Sequence, residues 1–182
     1  MTEKQTYQRI RLRELRKTDW QDVHSYASQE ITCRFQPWGP NTEEETLEFI
    51  SQVIKDTKLN PRTRFAFAVI EEKDELLIGV AELNIRDFTN KIGEIGYVIH
   101  PAYWGRGYAT EAGRHLLHLG YTVLNLHRIY ATCHPDNEGS VQVLQKLGMT
   151  KEGVLREDLK MQNGWRNSLL FSILEHEWTD NQ

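Results

Sequence analysis

Residues 93–112 constrain this chain more than any other stretch. They open with an apolar segment containing Ile95, Tyr97, Val98 and Ile99, reach Pro101, and turn through Trp104-Gly105-Arg106-Gly107. Beyond the turn, Ala112, Leu116, Leu117, Gly120, Tyr121 and Leu124 recur at intervals of three and four. β-Branched and aromatic residues favour a pleated strand, and Pro101 ends its pairing because it has no amide to donate. The later spacing is that of one helix face. The segment therefore reads as strand, tight turn and helix start. Gly105 and Gly107 allow positive φ and close approach of the backbone to a ligand. Unpaired N–H groups at a helix start, at the positive end of its dipole, attract an anion. A phosphate group is expected there.

Two familiar phosphate-binding turns do not fit. A Walker loop requires Lys-Ser or Lys-Thr after its last glycine, and none follows Gly107. A dinucleotide turn requires a third glycine, where Thr110 stands, and an acid ~20 residues further on; the stretch after Leu126 has none. The turn resembles instead the pyrophosphate loop of the GCN5-related N-acetyltransferases, Q/R-x-x-G-x-G/A. That pattern here reads Trp104-Gly105-Arg106-Gly107-Tyr108-Ala109, with Trp104 in place of Gln or Arg. The wider run 103–112 is similar to the branch containing the ribosomal-protein (RimJ/RimL-type) acetyltransferases.

The rest of the chain is compatible with that resemblance. A length of 182 residues suits one domain, 1–182, and is long enough to bury a core. Hydrophobic residues at 39% and charged residues at 26% are ordinary for a globular protein. A net charge of −4, with Lys and Arg dispersed, argues against a nucleic-acid partner and mildly favours a cationic one. Cys33 and Cys133 do not make a disulfide framework. No apolar leader or membrane-length apolar run is present, so the expectation is a cytoplasmic protein with no membrane partner. A homo-oligomer is left open.

Alternation of apolar and charged residues predicts a first strand over 7–15, and Thr18 or Asp19 is placed to cap a helix over 20–28. Two prolines and a glycine make 35–40 a loop. Thr42 and Glu45 have the spacing of a capping box for a helix with Leu47, Phe49, Ile50, Val53 and Ile54 on its apolar face. Strands are expected over 64–71 and 76–86, with a hairpin turn at 87–91. A helix over 109–123 is followed by a strand (128–133), a helix (138–147) and strands over 149–160 and 167–178 joined near Asn163-Gly164. The expected fold is α/β, with about seven strands in a mixed, mostly antiparallel sheet and about four helices. Its element order is the one the acetyltransferase family uses.

A second motif, 134–149, resembles the family segment N-x-x-A/S-x-x-L-Y-x-K-x-G-F. The resemblance implies that Asn137 hydrogen-bonds the pantetheine arm of acetyl-CoA, and that Ser140 stands where RimJ/RimL-type relatives place a serine. Many relatives carry, at the position of Leu144, a tyrosine that protonates the leaving thiolate. Leu144 cannot, so Ser140 is the candidate donor. The cofactor contacts implied are Tyr97, Val98 and Ile99 through their main chain and Trp104, Gly105, Arg106, Gly107, Tyr108, Ala109 and Thr110 around the pyrophosphate, with Asn137 and Ser140 at the arm. No metal is implied.

Direct transfer of acetyl to an amine requires a base for the amine proton and stabilisation of the departing sulfur, with no acyl-enzyme. Glu94 matches the family's strand carboxylate and is the first candidate base. A sixth-strand alternative in some relatives falls near Leu159, which makes Glu157 the second candidate, with Asp158 adjacent. Each pick has a plainer role: Asn137 and Ser140 as helix-start residues, Glu94 and Glu82 as solvated strand residues, Glu111 as a first-turn acid favoured by the dipole. The implied activity is an acetyl-CoA-dependent N-acetyltransferase acting on a protein N-terminus or a small-molecule amine. The alternative is a catalytically inactive acyl-CoA-binding or sensing module of the same fold.

Overall fold

The alternating and β-branched runs pair into one sheet. In the computed structural model, which describes residues 9–161 and 163–179, the strands are β1 (Ile10–Glu14), β2 (Arg64–Glu71), β3 (Leu76–Asp87), β4 (Ile92–Ile99), β5 (Arg128–Cys133), β6 (Thr150–Met161) and β7 (Gly164–Leu174). They lie in the order β1-β2-β3-β4-β5-β7-β6. Tyr7 and Gln8, at the start of the first expected strand, lie outside the described residues. Every pairing is antiparallel except β4 with β5, which runs parallel only through Ile92↔Arg128, Gly93↔Ile129 and Glu94↔Tyr130. Beyond Glu94, β4 keeps β3 as its neighbour through Ile99, while β5 keeps β7 through Cys133. The two central strands therefore part.

Five α-helices are present among the described residues: α1 (Trp20–Ala27), α2 (Glu30–Cys33), α3 (Glu43–Asp56), α4 (Tyr108–His118) and α5 (Glu138–Lys146). The single turn α2, ahead of the proline-containing loop, was not foreseen; four residues carry too little periodicity to signal a helix. Period-two alternation sends β-strand side chains to two separate cores. On one face Val23, Tyr26, Ile50 and Val53 from α1 and α3 pack on Ala66, Ala68 and Val80. On the other, Ala112, Leu116 and Leu117 from α4 pack on Leu83, Ile95, Ile129 and Phe171.

Local capping chemistry sets the helix ends. Thr42 Oγ1 accepts from the Glu45 N–H at 3.2 Å, and Glu45 Oε2 accepts from the Thr42 N–H at 2.8 Å, the reciprocal box expected for α3. Asp19 differs from expectation and makes no side-chain cap for α1. Its carboxylate is held by Arg13 at 2.7 and 2.9 Å and by the Arg16 N–H at 2.7 Å, closing a 3-10 turn at Lys17–Asp19. A bidentate guanidinium outcompetes a single helical amide. The helix expected to reach residue 123 is α-helical only to His118, then widens into a π turn over Leu119–Val123. There Gly120 lies against Ile129, where an added Cβ would come within 2.4 Å of Cδ1. The last strand ends at Leu174, and the 3-10 turn Glu175–Glu177 brings Trp178 onto Tyr121, ring centroids 5.3 Å apart.

Candidate active site

Where β4 and β5 part, a cavity of about 810 Å³ opens. Its lining comes from the loop after α2 (Phe35, Trp38), from α3, β2, β3, β4 and β5, from the start of α5 (Asn137, Ser140, Leu144) and from β7 (Arg166). This volume lies within the usual range for small-molecule sites.

The exposed edge of β4 is set by hydrogen-bond alternation. The His100 N–H donates to the Ile78 carbonyl at 2.7 Å, which makes the pairs at Val98↔Val80 and Gly96↔Glu82 the ones bonded to β3. The main-chain groups of Tyr97 and Ile99 consequently face the opening, while those of Val98 face β3. Of the three residues expected to contact the pantetheine by main chain, Tyr97 thus offers both groups. Ile99 offers its amide, because its carbonyl already accepts from the Trp104 indole N–H at 2.6 Å. Trp104, in the place of the family's polar residue, closes the strand end.

Gly105 (φ +73°) and Gly107 (φ +83°) both take the left-handed conformation, and Gly107 directly precedes α4. Only glycine occupies that region without strain. Trp104, Gly105, Arg106 and Gly107 are exposed, Ala109 is partly buried, and Tyr108 and Thr110 are buried. A tether unread in the sequence holds this loop: Arg9 Nη1 donates to the Arg106 carbonyl at 2.8 Å, and the guanidinium lies 4.9 Å from the centre of the Tyr108 ring. Arg9 is held in turn by Glu111, with Nε at 3.1 Å and Nη2 at 3.0 Å from Oε2. Glu111 Oε1 accepts from the Arg9 and Ile10 amides at 2.6 and 3.1 Å. Glu111 therefore does more than favour the helix dipole; it pins the start of β1 to α4.

At the start of α5, Asn137 Oδ1 accepts from the Ser140 N–H at 3.1 Å, so Asn137 is the N-cap. Its carbonyl is engaged, and its amide N–H groups are what it can offer a ligand. Ser140 and Tyr97 line the cavity together. Burial pushes the Tyr97 phenol up from its ordinary value, with Ser140 acting in the opposite direction. Leu144 is buried behind them.

Glu94 lines the cavity beside its neighbour Tyr130. Its Oε2 takes Arg86 Nε at 2.7 Å, Arg86 Nη2 at 2.6 Å and the Tyr130 hydroxyl at 3.4 Å, contacts that Oε1 does not share. Glu157 is placed differently. It sits at φ +48° in the irregularity between Leu155 and Leu159, exposed, with its N–H on Asn167 Oδ1 at 2.8 Å. It is not among the lining residues, because the bulge breaks the alternation that would have put it on a common face with Leu159. Cys133 lines the cavity, but burial raises its thiol, which disfavours a nucleophilic thiolate. His100 and His134 use Nδ1 to accept the Ala102 and Asp136 amides, both at 3.1 Å, and serve their turns.

Sequence reasoning missed Arg64, Arg86, Phe35 and Arg166 in the lining, and Tyr130 behind Glu94. Arg86 alone had a usable signal, since a hairpin turn at 87–91 brings it near Glu94. The others come from distant strands and loops.

The comparisons with known proteins agree with this geometry. Residues 9–150 match the family described as Acetyltransferase (GNAT) domain. The chain is 35% identical to the N-acetyltransferase YnaD of Bacillus subtilis (strain 168), over 95% of this chain and 98% of YnaD. It is 27% identical to the spermidine N(1)-acetyltransferase of Escherichia coli (strain K12), over 93% and 88% of the two chains. Among solved structures, RimJ of Mycobacterium smegmatis in complex with CoA-disulfide superposes with a TM-score of 0.81 at 25% identity, covering 92% of this chain and 83% of RimJ.

Proposed function

This chain belongs to the acetyltransferase (GNAT) family and is an N-acetyltransferase; on that premise we propose that it moves acetyl from acetyl-CoA directly to a primary amine, with Glu94 as general base and Ser140 as the group that assists the leaving thiolate. The observation that carries this reading is the parting of β4 and β5, which puts a carboxylate, a free strand edge and a hydroxyl around one cavity. The Tyr97 main chain and the Ile99 amide would hold the pantetheine, the Asn137 amide its end, and the amides that follow Gly105 and Gly107 the pyrophosphate. Acetyl-CoA supplies the thioester.

Attack by the amine nitrogen forms the new C–N bond and breaks C–S. The proton lost from nitrogen goes to Glu94, whose Oε1 is the oxygen left open by Arg86 and Tyr130, directly or through one water. The Ser140 hydroxyl, which lines the same cavity as Tyr97, donates to the charge developing on sulfur. No covalent enzyme intermediate is required.

The test is a pair of pH profiles of kcat/KM. Glu94→Gln keeps the size of the side chain and removes the base, so its deficit is about 10²- to 10⁴-fold and widens as pH falls and more of the amine arrives protonated. Glu157→Gln, on its exposed bulge, stays near wild type. A crippled Glu157→Gln beside a normal Glu94→Gln would move the base to β6.

A further inference from the structure

Resting on the acetyl-transfer reading, the identity of the acceptor follows from the charges around the cavity. Three arginines line it: Arg64, Arg86 and Arg166. Arg64 grips Glu82 through two bonds of 3.0 and 2.8 Å and lies 3.5 Å from Asp56. Arg86 holds Glu94. Arg166 is different. Its Nη1 donates to the Phe35 carbonyl, and its Nε–H is buried without a hydrogen-bond partner. Among the described residues, no carboxylate lies within ion-pair distance of it. Burial lowers its proton affinity, with Asp158 opposing only through space.

A partly buried guanidinium that lines a cavity and has no carboxylate partner is suited to a ligand that brings one. Its planar fork matches a carboxylate, which can take two of its N–H groups at once. The same balance disfavours a polyamine. Such a ligand brings only positive charge; of the four carboxylates that line the cavity, Glu82 and Glu94 already have arginines as partners and Glu45 and Glu48 lie exposed on α3, and Arg166 would repel it.

Position adds a size. On β7, alternation puts Arg166, Ser168, Leu170 and Ser172 on one face, and Ser172 stands opposite Tyr130, level with Glu94. From Ser172 to Arg166 is ~20 Å of strand at ~3.3 Å per residue. Long side chains at both ends close part of that span. What remains suits an extended peptide of a few residues better than a single amino acid.

We infer that the acceptor is a short peptide with a free C-terminal carboxylate, its amine at Glu94 and its carboxylate on Arg166, which makes Arg166 the specificity-determining residue of the site. The probes are trialanine, its C-terminal amide and spermidine, assayed by thiol release with acetyl-CoA and, independently of turnover, by calorimetric binding in the presence of CoA. Trialanine should be preferred over its amide by at least about tenfold in kcat/KM, the size of one charged hydrogen-bonded contact. Arg166→Met should erase that preference through KM for the acid, and Arg166→Lys should keep part of it. Because the panel is run first on the unaltered protein, a poorly folding variant leaves the result readable. Acetyl transfer to the amide or to spermidine as efficient as to trialanine overturns the inference while the transferase reading stands. Carboxylate-dependent binding without turnover in any arm sustains the inference and removes the transferase reading.

Discussion

Ser140 and Tyr97 both line the cavity where the acetyl-CoA thiol is expected, and on the proposed reading Ser140 is the donor in place of Leu144, which has no proton to give. Burial raises the Tyr97 phenol, so it remains a neutral O–H at any pH where the enzyme works. Ser140→Ala is expected to lower kcat by about 10- to 1000-fold, the span of positioned donors and acids, with acetyl-CoA affinity nearly intact by calorimetry. Tyr97→Phe retains the ring against its core and removes only the hydroxyl, so its loss in kcat should be the smaller of the two. Equal losses would make the phenol itself the donor; an unaffected Ser140→Ala would leave Ser140 as a helix-start residue.

At the scale of elements, the turn into α4 depends on a residue from the far end of the chain. Glu111 brings a negative charge into the first turn of α4, close to where a pyrophosphate is expected, and Arg9 neutralises it while also holding the Arg106 carbonyl. Removing Arg9 would leave that carboxylate facing the phosphates. Arg9→Met should therefore raise KM for acetyl-CoA by about tenfold, the upper part of what one charge near a helix terminus contributes, with kcat little changed. Glu111→Gln in the same chain should restore part of the loss, because it removes the repulsion. If the double variant is worse than Arg9→Met, the pair acts by tethering β1 and not by charge.

For the molecule as a whole, a charged cluster adds to the β5–β7 ladder in holding the β6–β7 wing that carries Arg166. Arg128 meets Glu152 with two bonds of 2.6 Å, and Ser172 donates to Glu152 at 2.7 Å. The Arg128 and Ser172 bonds hold the Glu152 carboxyl at about 2, below its ordinary 4.5. A carboxylate depressed by folding stabilises the fold above its unfolded value and loses that contribution as pH falls toward its folded one. Glu152→Gln should thus be less stable than the unaltered chain at neutral pH, by no more than about 1 kcal/mol given its solvent exposure. The difference in Tm should shrink between pH 4.5 and pH 2. A gap that is independent of pH would show that packing, not charge, is responsible.

What the sequence determined by itself was everything that depends on near neighbours. Gly105 and Gly107 at positive φ, the Thr42–Glu45 box, Asn137 at the start of α5 and the strand limits at 64–71 and 128–133 follow from backbone sterics and hydrogen bonds a few residues long. Even the branch of the family was legible, because its motifs are local. Only the tertiary structure decided which strand lies beside β5. That neighbour is β7, and its choice leaves the β4 edge open beyond Glu94 and delivers Arg166 to the cavity. It also decided the fate of charges: Asp19 went to Arg13, Glu111 to Arg9 and Glu94 to Arg86, partners that capping rules and dipoles do not anticipate. Glu157 was turned outward by a bulge with no glycine or proline to announce it. Ion pairs between distant segments are set by where the chain packs, and a desolvated charge takes whichever partner the packing brings within reach.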